Sequence, residues 1–337
     1  MGQSAAFTGP AAQLGIQFHE GARVYFDQLN AQGGIARQQI ELRKLDDGYE
    51  PARCAENTQK FIADDVFSLF GHIGTPTSLV ALPMAIKEKI PFTAPFTGAM
   101  ALREPFSRYA FHVRASYNDE TALVVKQLTN LGLKQIAVFH RNDAYGKAGL
   151  DGVNSALGRL ALKPVVQATM ERNSVDVAQA VKTLVAAGPG AVVQIGAYKA
   201  CAAFIREARK SGYGGIFHNV SFVGTQALAD ELGKEGAGVV VSQVMPSPYN
   251  PARAIAREFI DAVKAVGRKE VQANFSSMEG IGSQSFGGFA VSFGPGDHVA
   301  SSFVELSMLT GERRPATGDR RPATGAFAPD RPARPGG

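Results

Sequence analysis

IELRKLDDGYEPARCAENTQKFIADDVFSLFGHIGTPTS, residues 40–78, decides the fold. Residues 40–46 and 66–73 are apolar runs of strand length. Residues 51–63 and the stretch opening at TPTS repeat apolar groups at helical spacing. A strand, a covering helix and a second strand form a crossover unit, which makes neighbouring strands parallel.

The alternation extends both ways. Upstream, Leu14, Phe18, Ala22, Tyr25, Phe26 and Leu29 recur at three- and four-residue spacing until Gly33 and Gly34 end the helix. Downstream, strands are predicted at 135–140, 191–196, 215–220 and 238–244, and helices at 119–132, 145–160, 176–187, 198–211 and 251–267. The fold class is therefore α/β, with parallel sheets covered by helices on both faces. Two stretches interrupt the rhythm: polar, aromatic PFSRYAFHVRASYN at 105–118, and MPSPYNP at 245–251 with three prolines. They read as crossings between two lobes. Strand ends of facing lobes surround a shared cleft, the usual place for a ligand in open α/β sheets.

With 337 residues, 45% of them hydrophobic, the chain can bury two domain-sized cores. No window approaches eighteen uninterrupted apolar residues. The net charge of +5 is concentrated at the end, where residues 311–337 carry six Arg against Glu312, Asp319 and Asp330, so only +2 remains for the body. Nucleic acid is a poor first guess as partner. The tail repeats RRPATG at 313–318 and 320–325, and its composition predicts disorder from Gly311. Cys54 and Cys201 fall in remote helices and read as free, buried thiols. GQSAAFTGP after Met1 has no leader pattern.

Enzyme signatures are missing: no G-x-G-x-x-G after the first strand, no Walker loop, no G-x-S-x-G elbow and no H-E-x-x-H. His72 and His140 end strands and read as structural groups; no cofactor or metal is expected. What the strand ends offer is uncharged. Thr75, in the turn GTPTS, stands at a helix start; it is either a plain N-terminal cap region or an anion site made by free backbone N–H groups. A second such turn follows at 90–99, with Phe96 and Thr97. Tyr145 and Tyr198 each follow a strand and precede a helix in the other half, where they either close over a ligand or pack the lobes together.

SAAFTGPAAQLG, LNAQGGIARQQIEL, DDGYEPARCAENTQKFI, FGHIGTPTS, IPFTAPFTGA, FHVRASYNDE, DAYGKAG, FIREARKSGY, NVSFVG and GAGVVVSQVMPSP, in this order over about 280 residues, carry a family likeness. The chain resembles the type I periplasmic solute-binding proteins of ABC importers, in the branched-chain amino acid and amide-binding group. The resemblance implies two Rossmann-like lobes joined by three crossings and closing by a hinge. Lobe 1 is expected over 1–114 and 248–280, lobe 2 over 115–247, and the third crossing and terminal strands over 281–310, with the passage near Phe289 to Phe293. It implies a periplasmic receptor, not an enzyme, that delivers a small carboxylate-bearing ligand to a membrane permease. Thr75, Phe96 and Thr97 match positions that receive the amino acid's carboxylate and ammonium, and Tyr145 and Tyr198 match aromatics that cap it. Ser221 stands where some relatives carry an acid for the ammonium. Two further departures are expected: the chain enters at the end of the family's first strand, and after FSSMEG about two helices covering lobe 1 are missing. A cytosolic sensor of the same fold, a nonfunctional remnant and an enzyme with unrecognised catalytic groups are the competing readings.

Overall fold

A computed structural model of the chain describes residues 1–250, 253–266, 293–310 and 324–326. Two sheets form, each from crossover units. In the first, β1 (Gly2–Ala5), β2 (Arg43–Asp46), β3 (Leu69–Phe70), β4 (Phe92–Thr93) and β5 (Ala110–Phe111) run parallel in the order β2-β1-β3-β4-β5. The connecting helices are α1 (Ala12–Ala31), α2 (Pro51–Ala63) and α3 (Thr75–Lys87).

After α4 (Tyr117–Asn130), the second sheet takes β6 (Ile136–Arg141), β7 (Gln167–Met170), β8 (Ala191–Ile195), β9 (Ile216–Asn219) and β10 (Val240–Gln243), all parallel. Between them run α5 (Ala144–Gly158), α6 (Ala178–Ala186), α7 (Tyr198–Lys210) and α8 (Thr225–Leu232), of which sequence periodicity missed only the short α8. Past α9 (Ala254–Val266), β11 (Glu305–Leu309) and β12 (Thr324–Ala326) extend this sheet antiparallel beyond β10. The order is β12-β11-β10-β9-β8-β6-β7.

In both sheets the first strand lies between the second and the third. Chain direction therefore reverses around β1 and β3 in one lobe and around β6 and β8 in the other, which opens a crevice beyond their carboxyl ends. Helix starts are fixed locally. Ser116 and Asp119 form a reciprocal capping box on α4. Asp143 caps α5, accepting from the N–H groups of Tyr145 and Gly146 at 3.0 Å each. Gly146 is required there, since a Cβ would lie 1.8 Å from the Arg141 carbonyl oxygen.

One apolar cluster spans both lobes, joining Phe18, Phe70 and Phe96 to Tyr117, Tyr145, Ile195 and Phe222. Separate clusters fill lobe 2, around Phe139, Phe204 and Phe217, and the far side of lobe 1, around Phe61, Leu69 and Phe92. Helix α9 returns to lobe 1, packing Ile255, Ala256 and Phe259 with Val24 of α1. Cys54 and Cys201 are buried and free. His72 is buried against Phe92, and His140 lies within β6 with its Nδ1 on the Arg141 carbonyl.

GQSA forms a four-residue strand inside the first sheet, between β2 and β3. Two expectations meet the structure differently. His298 stacks on Phe111 at 4.2 Å, and the bridge from His112 to Val299 keeps 293–300 beside lobe 1; the passage to β11 follows at 301–304, later than Phe289 to Phe293. Of the tail from Gly311, Thr324–Ala326 pairs with Ser307–Leu309 as an edge strand, because β11 otherwise offers an open row of backbone donors and acceptors. The rest of the tail, and the helices expected to be missing after FSSMEG, lie outside the described residues.

Candidate functional site

The floor of the crevice in lobe 1 is built by extending the β3–β4 pairing past the strands. Ile73 bridges Phe96, Phe96 N donates to the His72 carbonyl at 2.8 Å, and Gly74 N donates to the Phe96 carbonyl at 3.2 Å. This register sets the next residues side by side, and the Thr75 and Thr97 hydroxyls meet at 2.7 Å. Thr75 is the first residue of α3, so unpaired N–H groups and the positive helix end accompany it. Gly74 at φ 101° makes the approach possible; a Cβ there would lie 2.4–2.7 Å from the ring and hydroxyl of Tyr49. The Tyr49 hydroxyl thus sits at the start of α3, buried and with no hydrogen-bond partner among the described residues.

Lobe 2 closes over this floor with rings. Phe222 lies centrally, 5.5 Å from Phe96, 6.0 Å from Tyr49 and 4.4 Å from Tyr145, with Tyr117 5.4 Å beyond Tyr145. The Arg141 guanidinium stacks 4.2 Å over Tyr49 while pairing with Asp143 at 2.6 Å. Burial pushes the hydroxyl pKa of Tyr49 and Tyr145 well up, and that of Tyr117 to about 12, so all three remain neutral donors.

Beside the rings lies a buried ionic knot. Arg114, on the first crossing, sits 5.1 Å over Phe96 and pairs with Glu120 of α4 at 3.0 Å, both side chains fully enclosed. Arg114 also donates to the Ser221 hydroxyl. Glu120 accepts from the Ser221 N–H at 2.8 Å, the Ser221 hydroxyl at 3.0 Å and the Ser242 hydroxyl at 2.6 Å.

Thr75, Phe96, Thr97 and Tyr145 therefore come together, and Ser221 adjoins them through Arg114. Tyr198 stands apart: it packs in the lobe 2 cluster with Cys201 and Phe204, and its hydroxyl is within reach of the Gln13 main chain at the start of α1. Sequence reading missed Tyr49, Arg114, Tyr117, Glu120, Arg141 and Phe222 as site residues, although DDGYEPARC, FHVRASYNDE and NVSFVG contain five of them. A second missed feature closes the rim, where lobe 2 grips lobe 1. Arg172 pairs with Glu50 at 2.8 Å, and Asn173 donates to Glu50 at 2.7 Å and to the Gly48 carbonyl at 3.0 Å. Among the described residues no group of three or more His, Cys, Asp or Glu is placed to hold a metal ion, and no helix is long and apolar enough to cross a membrane.

Comparison with known proteins places this geometry. The sequence model of a family described as periplasmic binding protein matches residues 1–287. The crystal structure of "a possible leucine/isoleucine/valine-binding protein" from Rhodopirellula baltica superposes with a TM-score of 0.88 at 32% identity, covering 97% of this chain and 95% of that one. An amino acid binding protein of Pseudomonas aeruginosa is 25% identical over 69% of this chain and 63% of its own length, so the match spans less than two thirds of that relative. The Leu/Ile/Val-binding protein of Escherichia coli is 23% identical over 77% of this chain and 70% of its own.

Proposed function

The chain belongs to the periplasmic binding protein family, and from that premise we propose that it is a solute receptor which closes its two lobes on a small carboxylate-bearing molecule. In this reading it works in the periplasm and delivers the ligand to an ABC permease. The single observation that carries the ligand chemistry is the start of α3, where the Thr75–Thr97 hydroxyl pair, the helix N-terminus and the Tyr49 hydroxyl, without a hydrogen-bond partner among the described residues, converge. Phe96, Tyr145 and Phe222 supply the walls, Ser221 borders the site through Arg114, and Tyr198 contributes to lobe contact more than to ring contact.

The division into lobe 1 (1–114 with 248–280) and lobe 2 (115–247) belongs to the same proposal, supported by the two sheets and by α9 packing on α1. Calorimetric titration against branched-chain, aromatic and amide ligands, after a thermal-shift screen of small carboxylates, tests it. Tyr49→Phe and Thr75→Ala should each weaken binding without unfolding the chain. A folded protein that binds no small carboxylate defeats the proposal.

A further inference from the structure

The carboxylates around the cleft are each engaged by the protein's own donors, and the one beside Ser221 is filled. Glu120 receives four hydrogen bonds, from Arg114, from Ser221 twice and from Ser242, which fills the acceptor sites of both its oxygens. Asp143 accepts from two helix N–H groups and from Arg141. Asp47 is enclosed inside lobe 1 between the Ser4 hydroxyl and the Tyr49 N–H. Glu50 is bound across the rim by Arg172 and Asn173.

The position beside Ser221 is moreover filled by a cation of the protein's own. The Arg114 guanidinium takes the Ser221 hydroxyl and the Glu120 carboxylate, and lies against Phe96, the ring next to the hydroxyl floor. A ligand ammonium placed there would lose its water, meet in Glu120 a carboxylate whose four acceptor sites are filled, and face Arg114 in a low-dielectric site. A bare carboxylate needs no acid at that position, and its own lost water is replaced by the Thr75–Thr97 hydroxyls and the start of α3.

Resting on the receptor reading above, we infer that this cleft takes a carboxylate without an α-ammonium group, carrying an apolar or aromatic body. Specificity then comes from exclusion: the internal Arg114–Glu120 pair rejects amino acids that the hydroxyl floor alone would accept.

The test compares matched pairs on the full wild-type chain by calorimetry: leucine against 4-methylpentanoate, and phenylalanine against 3-phenylpropanoate. The deaminated acid of at least one pair should bind tenfold or more tighter than its amino acid. An amino acid that binds as tightly as its deaminated partner, or tighter, overturns this inference and leaves the receptor proposal standing. Binding by neither member of either pair, and by no other small carboxylate in the thermal-shift screen, overturns both.

Discussion

Replacing Glu50 by Ala should loosen the closed form by a predictable amount. Glu50 stands at the N-cap of α2 but makes no side-chain cap bond, so the substitution leaves the helix start intact. It removes the contact to Arg172, whose side chain is 30% exposed against 40% for Glu50. A pair this open is worth roughly 0.2–1 kcal/mol after screening. It also removes the bond from Asn173, a hydrogen bond to a charged acceptor, of which half-exposure leaves about 1 kcal/mol. Asn173 retains the Gly48 carbonyl, so no amide is stranded. The closed form should lose about 1–2 kcal/mol, or roughly 5- to 30-fold in its ratio to the open form. Ligand held only by the closed form should bind weaker by the same factor, mainly through faster release. Stopped-flow dissociation and calorimetry read this directly. The unliganded variant should also give a larger radius of gyration in X-ray scattering. An affinity within twofold of wild type, with unchanged scattering, would refute the reasoning: the rim contacts would then exist without biasing closure.

Glu120→Gln strands Arg114 inside the protein and should cost roughly 3–5 kcal/mol in denaturant unfolding; a loss under about 1 kcal/mol would mean that the knot is open to water. Burial lowers the pKa of His72 to about 4, His112 to about 3 and His218 to about 4, so the folded state binds fewer protons than the unfolded state below about pH 6.5. Stability should therefore fall as pH drops from 6.5 towards 4, by at most about 1.4 kcal/mol per unit for each group. Asp47, raised to about 6 by burial, opposes this by gaining stability over 6 to 3.8, and a stability curve flat across that range would count against the assignment. Both thiols should resist a maleimide in the native state and titrate as two per chain in denaturant, since burial pushes Cys54 to about 12 and Cys201 higher still; fast native labelling of either would contradict its burial.

The elements were legible in the sequence because each is specified locally. Hydrophobic spacing gave α1 and α7, and apolar runs gave β6 and β8. The turns that bring Thr75 and Thr97 side by side were legible as well, since a helix start and a strand end mark where the chain turns at a sheet's carboxyl edge. Glu120 could not be found this way. Its partner Ser221 is 101 residues distant, and nothing near Glu120 distinguishes it from an ordinary first-turn acid of α4. Tyr198 shows the opposite failure. It satisfies the same local rule as Tyr145, yet its ring belongs to another cluster, because two neighbouring strand ends aim their helices at different partners. The grip of Asn173 on Gly48 spans 125 residues and became visible only once both sheets were in place.

The ring cluster gives the molecule an optical signal of its own. The chain has no Trp and eight Tyr, so its ultraviolet emission comes from tyrosine alone. Tyr49, Tyr117 and Tyr145 stand together in the cleft, fully enclosed or nearly so, with guanidinium groups over their faces. Opening the lobes wets all three at once, and a ligand entering between them changes the quenching of each. Fluorescence of the unlabelled protein should therefore follow occupancy in real time, with Tyr109 and Tyr213, outside the cluster, as a steady background against which the change is measured.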